Sequence, residues 1–201
     1  GMSAFSILTP GPAASNAGRQ CEGVAFAGND DLAGKDTAVG AVASLVASQL
    51  PSYVDGTWSL ESSNLDHDLY ALWAAPDGRM SAVGAAGTLL FHTGQSWYAQ
   101  SSNTDETLRA LDGASWDTQW AAGDAGTLLR WDGIAWSLVE APFDDYHALS
   151  LGTEGELLVA GNVRLRERDA EGQWSIAGPP SLQNIRGLAR NAAGFVAAVG
   201  L

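Results

Sequence analysis

The stretch Ala82-Val83-Gly84-Ala85-Ala86-Gly87-Thr88-Leu89-Leu90, followed by a turn and Trp97, returns as Ala121-Ala122-Gly123-Asp124-Ala125-Gly126-Thr127-Leu128-Leu129, followed by Trp136. Weaker copies are Ala38-Val39-Gly40 before Trp58, Val159-Ala160-Gly161 before Trp174, and Ala198-Val199-Gly200. The motif glycines at 40, 84, 123, 161 and 200 and the tryptophans at 58, 97, 136 and 174 therefore keep one spacing, broken only by a five-residue expansion between Gly40 and Trp58. Two landmarks that share one period mark an internal repeat.

Each period reads as four short strands. In the clearest copy, 69–74 is a strand, Pro76-Asp77-Gly78 a hairpin turn, and 80–84, 88–92 and 96–100 three further strands. In the fourth copy Val163-Arg164-Leu165-Arg166 replaces the Gly-Thr-Leu-Leu strand, its alternation fitting a half-exposed strand. Four antiparallel strands per period of about 40 residues is the pattern of a propeller blade. The small Ala-Val-Gly strand lets blades pack closely, and a Trp on the outermost strand covers the gap between blades. The expectation is an all-β, five-bladed β-propeller forming a single domain over 1–201. Its repeats run over about 21–60, 65–100, 107–139, 146–176 and 185–201, with the N-terminal strand 4–8 completing the last, incomplete blade. That unfinished edge has three readings: a short, irregular blade, a piece of a longer propeller, or a homodimer contact through the fifth blade.

A formal net charge of −13 argues against nucleic acid as a partner. The lone Cys21 cannot close an intramolecular disulfide. Residues 2–10 lack a basic region and a long apolar run, so no signal peptide or transmembrane segment is expected and the default compartment is the cytoplasm. His67, His92 and His147 are too dispersed for a zinc motif.

The segment Val83 to Leu90 through Gly94-Gln95-Ser96-Trp97, with its partner ending Trp131-Asp132-Gly133-Ile134-Ala135-Trp136, resembles the bacterial propeller repeats of the BNR (Asp-box) and photosystem II assembly factor type. The resemblance spans nearly the whole chain on short motifs, and the full Asp-box pattern never occurs. It implies a scaffold fold. The arginine cluster and tyrosine nucleophile of sialidases have no counterparts at matching positions, so no catalytic residue is carried over.

In a propeller, the loops entering the innermost strands surround one mouth of the central channel. Counting 15 or 16 residues back from each motif glycine reaches Asp68, Thr107, Asp145 and Asn184, with Glu22 in the expanded first repeat. Asp66, His67, Asp105, Glu106 and Asp144 lie one or two residues earlier. This register puts acids from several blades around one mouth, a place for a polar ligand or a calcium-type cation; no other cofactor is expected. The bland alternative, solvated loop acids, is the more frequent situation. Trp73 and Trp116 stand outside the regular tryptophan set and are candidates for an exposed aromatic platform.

Two functions follow. The first is a non-catalytic binding or assembly propeller, with a protein or carbohydrate ligand at the channel mouth. The alternative is a glycoside hydrolase-like enzyme with paired carboxylates there, which needs two nearby acids, one with a raised pKa. Short loops favour the first.

Overall fold

A computed structural model describes residues 37–39, 49–54, 57–62, 67–191 and 193–200. The expected strands at 4–8 and 23–27, with Glu22, Asp66 and Cys21, lie outside them. Seventeen strands are described. The first sheet holds β1 (Thr37–Val39), β2 (Gln49–Val54) and β3 (Thr57–Ser62). The second holds β4 (Leu69–Ala74), β5 (Met80–Gly84), β6 (Leu89–His92) and β7 (Trp97–Ala99). The third holds β8 (Leu108–Ser115), β9 (Thr118–Gly123), β10 (Leu128–Trp131) and β11 (Trp136–Leu138). The fourth holds β12 (Tyr146–Leu151), β13 (Leu157–Gly161), β14 (Leu165–Arg168) and β15 (Trp174–Ile176), and the fifth β16 (Ile185–Arg190) and β17 (Val196–Gly200). Each sheet is an antiparallel meander in chain order.

The register repeats with the sequence. Trp97 pairs with His92, Trp136 with Trp131, Trp174 with Arg168 and Trp58 with Tyr53. The first strands of consecutive sheets lie side by side, β4 beside β8, β8 beside β12 and β12 beside β16, so these sheets stack radially around their first strands.

Stacking explains why the middle strands do not alternate in polarity. Every residue of β5, β6 and β13 is buried, because both faces of each sheet meet a neighbour or a cluster of their own. Between the second and third sheets Trp73, Val83, Leu89, Phe91, Leu111, Trp116, Leu129, Trp131 and Trp136 form one cluster. Its aromatics meet at an angle, Phe91 lying 4.6 Å from Trp116 and 5.0 Å from Trp131 between ring centres. Trp120, Leu128, Tyr146, Leu149, Leu157 and Val159 fill the next gap, Leu158, Leu165, Ile185 and Leu188 the one after. Ala82, Ala121, Ala122 and Ala160, almost fully buried, let the sheets approach. The outer-strand tryptophans face the preceding sheet: Trp136 packs on Phe91, and Trp174 joins the third-sheet cluster and donates from Nε1 to the Glu140 carbonyl at 3.2 Å.

One polar link crosses the apolar gap. Ser81 Oγ on β5 donates to Gln119 Oε1 on β9 at 2.6 Å, and Gln119 Nε2 donates to the Trp116 carbonyl at 2.7 Å. Both side chains are fully buried and satisfied, which fixes the register of one sheet against the next.

The fourth sheet differs from the expectation. The strand starts at Leu165, and Val163 and Arg164 belong to the preceding turn. The cause is Asp144, whose buried carboxylate accepts from the amides of Asn162, Val163 and Arg164 and holds them off the ladder.

Candidate functional site: the mouth end of the inner strands

In each of the second to fifth sheets the first strand carries a β-bulge in the same place. The register slips between Leu69 and Ala71, Leu108 and Ala110, Tyr146 and Ala148, and Ile185 and Gly187. The extra residues are Tyr70, Arg109, His147 and Arg186. A bulge re-aims a side chain that a regular ladder would leave in the sheet.

The motif glycines keep this bulge. Gly84, Gly123, Gly161 and Gly200 each face the backbone carbonyl of Asp68, Thr107, Asp145 and Asn184, so tightly that a Cβ would lie 2.8–3.0 Å from the carbonyl carbon. These are the four positions reached by counting back in the sequence. After the glycine the chain turns through a left-handed pair, Ala86 and Gly87 or Ala125 and Gly126. The turn then reaches the next sheet, Gly87 N donating to the Glu106 carbonyl at 2.9 Å and Gly126 N to the Asp144 carbonyl at 2.7 Å.

Three of the re-aimed side chains, Tyr70, Arg109 and His147, enter a string of polar contacts that crosses the sheets. Arg109 grips Asp124 with two hydrogen bonds, Nε to Oδ1 at 2.5 Å and Nη2 to Oδ2 at 2.7 Å, and its guanidinium lies 5.4 Å from the Tyr70 ring centre. Ala125 N donates to Asp145 Oδ1 at 3.1 Å, and Asn162 Nδ2 to Asp145 Oδ2 at 3.2 Å. The Asn162 carbonyl oxygen then meets His147 Nε2 at 3.0 Å. Because Asn162 spends its amide on Asp145, Nε2 is the donor here and Nδ1 is left with its lone pair when the ring is neutral. Burial pushes the His147 pKa down, and the charges of Arg186 and Arg109 push the same way, against Asn162 and Asp124. Asp124 raises the pKa of Arg109 still further above its ordinary value.

The candidates named from the sequence are distributed as follows. His67, Asp68, Asp105 and Glu106 are exposed in the entry loops, Asp68 and Glu106 contributing carbonyls to the turns. Asp145 is in the polar string. Asp144 is 2 % exposed and occupied by backbone amides, so it shapes the turn. Trp73, 4 % exposed, and Trp116, 8 %, are packed between the second and third sheets, Trp116 also lying under the Arg79 guanidinium at 4.4 Å. Neither ring is the surface platform expected, because each serves inter-sheet packing. Among the described residues no group of three or more His, Cys, Asp or Glu side chains is arranged as metal ligands. This end of the described inner strands carries both signs of charge, Arg109, His147 and Arg186 with Asp124 and Asp145.

Sequence reasoning missed Tyr70, Arg109, His147 and Arg186. Their signal was present: they sit 14 residues before each motif glycine, with the glycines' own spacing. Phe143 and Val163, exposed at 78 % and 49 %, flank the Asp144 turn at the same end, with Tyr70 40 % exposed.

One carboxylate elsewhere has a raised pKa. Asp112 on β8 is pushed up by burial, against hydrogen bonds from Leu151 N and Gly113 N, both at 2.8 Å, and the Arg190 charge. Its Oδ2 ties β8 to Leu151, the last residue of β12, while Oδ1 accepts from Gly113 on its own strand. The neighbouring Arg190 pairs with Glu156.

The chain matches no protein-family model and no curated protein. Solved structures similar to it are propellers. Virginiamycin B lyase from Staphylococcus aureus superposes with TM-score 0.63 at 13 % identity, over 77 % of this chain and 64 % of that one. YCF48 bound to D1 peptide gives 0.59 at 16 %, over 78 % and 56 %, and the WD40 β-propeller domain of Doa1 gives 0.62 at 10 %, over 76 % and 54 %. The chain thus spans less than two thirds of the length of each. Stacked four-stranded antiparallel sheets and these likenesses together make the fold that of a β-propeller.

Proposed function

We propose that this chain is a non-catalytic binding or assembly propeller that docks a protein at the mouth end of its inner strands. In this reading there are five blades, and residues 4–8 join the blade begun by β16 and β17. The observation that carries the reading is the row of bulged residues Tyr70, Arg109, His147 and Arg186, aimed by four sheets at one end. Around it stand the exposed apolar side chains of Phe143 and Val163. Apolar tips around a charged centre suit a protein surface, where aromatic anchors give affinity and charges set orientation. One of the similar structures, YCF48, holds a peptide, which agrees with the proposal without identifying a ligand for this chain.

The glycosidase alternative finds less support. Asp112, the carboxylate with a raised pKa, has both oxygens occupied by backbone amides and lies away from the bulged row. Peptide and glycan arrays probed with the wild type, a Phe143→Ser/Val163→Ser variant and an outer-loop Ile134→Ser control test the proposal. Peptide binding lost in the first variant and kept in the control is expected. Binding unaffected by both variants, or hydrolysis in a dye-linked glycosidase screen, would overturn it.

A further inference from the structure

Arg186 differs from the other bulged cation. In the third sheet Arg109 meets Asp124, 15 residues on, and in the fourth His147 meets Asn162 at the same interval. Arg186 is exposed and has no hydrogen bond or ion pair among the described residues. Its strand β16 packs against β12, which carries His147 at the equivalent bulge. Two groups that both gain from a negative partner therefore sit side by side on β12 and β16, while the neighbouring acids Asp124 and Asp145 are engaged by Arg109, Ala125 and Asn162.

We propose that Arg186 and His147 form a carboxylate-binding subsite in which His147 takes up a proton as the ligand binds. The proposal rests on the mouth being the binding end. A planar carboxylate matches the guanidinium fork, as Asp124 does on Arg109 in the adjoining sheet. His147 already donates from Nε2, so its free Nδ1 can contribute a second donor only by gaining a proton from solvent. The groups facing the ring are Arg109 from β8, Asp124 from the turn after β9, Asp145 and Asn162 from its own sheet, and Arg186 from β16. Burial and the Arg186 charge disfavour the imidazolium in the free protein; a carboxylate across Arg186 offsets that repulsion and favours the imidazolium. Affinity then rises as pH falls through the His147 pKa. With a net charge of −13 the molecule repels polyanions, so the fitting ligand carries one carboxylate, on a peptide C-terminus or on a sugar acid.

The test follows the His147 ring by NMR across pH. The additions are acetate, a blocked tripeptide with a free C-terminus or its amide, glucuronate or glucose, and chloride at equal ionic strength. The carboxylates should raise the His147 pKa by about one unit, equivalent to roughly tenfold tighter binding to the protonated form. The amide, glucose and chloride should not. In Arg186→Gln the free ring should titrate higher and the carboxylate response should vanish, while His147→Gln should keep weaker binding that no longer varies with pH. A response to the peptide alone or to glucuronate alone assigns the source and upholds the subsite. An unshifted His147 with every carboxylate, or an equal response to chloride, overturns it. Peptide binding at Phe143 with His147 unmoved would reject the subsite and leave the docking surface standing.

Discussion

Replacing Gly123 by alanine isolates the device that builds the mouth. Gly123 has φ −164° and ψ −154°, an extended conformation open to any residue. Lower entropy of the unfolded chain alone would then make the alanine variant about 0.4–1 kcal/mol more stable. The packing reverses that sign. The new methyl would lie 2.8 Å from the Thr107 carbonyl carbon and 2.9 Å from Leu108 Cα, where ordinary contact begins at 3.4 Å. The nearest obstacle of all is the Thr107 carbonyl oxygen, which is backbone, so β8 and β9 must part by more than about 1 Å, since close-packed interiors absorb little strain. Overpacking of this kind costs about 1–3 kcal/mol, and loosening the 2.9 Å bond from Asp124 N to the Thr107 carbonyl about 1 more. The expected net loss is about 2–3 kcal/mol, a urea midpoint lower by about 1–2 M. A Gly94→Ala control, at φ +95° with nothing within 4 Å of the added carbon, meets only left-handed strain of about 1–2 kcal/mol. A Gly123→Ala protein as stable as the wild type, or more so, would refute the reasoning.

Three further outcomes are expected. Asp144→Ala strips the acceptor from the amides of Asp145, Asn162, Val163 and Arg164, and should lower stability by about 2–4 kcal/mol with faster amide exchange confined to residues 145 and 162–164. Ser81→Ala leaves Gln119 Oε1 buried without its donor and should cost about 1–3 kcal/mol in urea; adding Gln119→Leu should cost less than the sum of the two single changes. Asp112 holds its proton more tightly when folded than unfolded, so its share of stability falls as pH rises from the ordinary aspartate range through the raised folded value. Asp112→Asn should remove that segment of the pH–stability curve, and a wild-type-like slope in thermal unfolding from pH 4 upward would contradict it.

Much of the fold was legible because it rests on backbone geometry that repeats. Gly84, Gly123, Gly161 and Gly200 recur where a carbonyl of the inner strand leaves no room for a Cβ, so their spacing reported the sheets and their register together. Trp136 and Trp174 recur because each outer strand must cover the gap to the preceding sheet. The site was less legible for a matching reason. The bulged positions keep their place and change their chemistry, Tyr70, Arg109, His147 and Arg186 having no common residue type for a pattern to catch. Asp144 illustrates the other limit: its composition suggested a solvated loop acid, and its position made it the anchor of a turn that lacks the Gly-Thr pair of Gly87-Thr88 and Gly126-Thr127. Trp73 and Trp116 looked available because they broke the period; inter-sheet packing needed them there.

The most direct measurement is a map of backbone amide shifts on titrating the whole chain with an array-selected peptide. The account predicts changes gathered at Tyr70, Arg109, His147 and Arg186 and in the turns at 124–126 and 162–164. Changes spread along the outer strands β7, β11 and β15, with those four amides still, would contradict it.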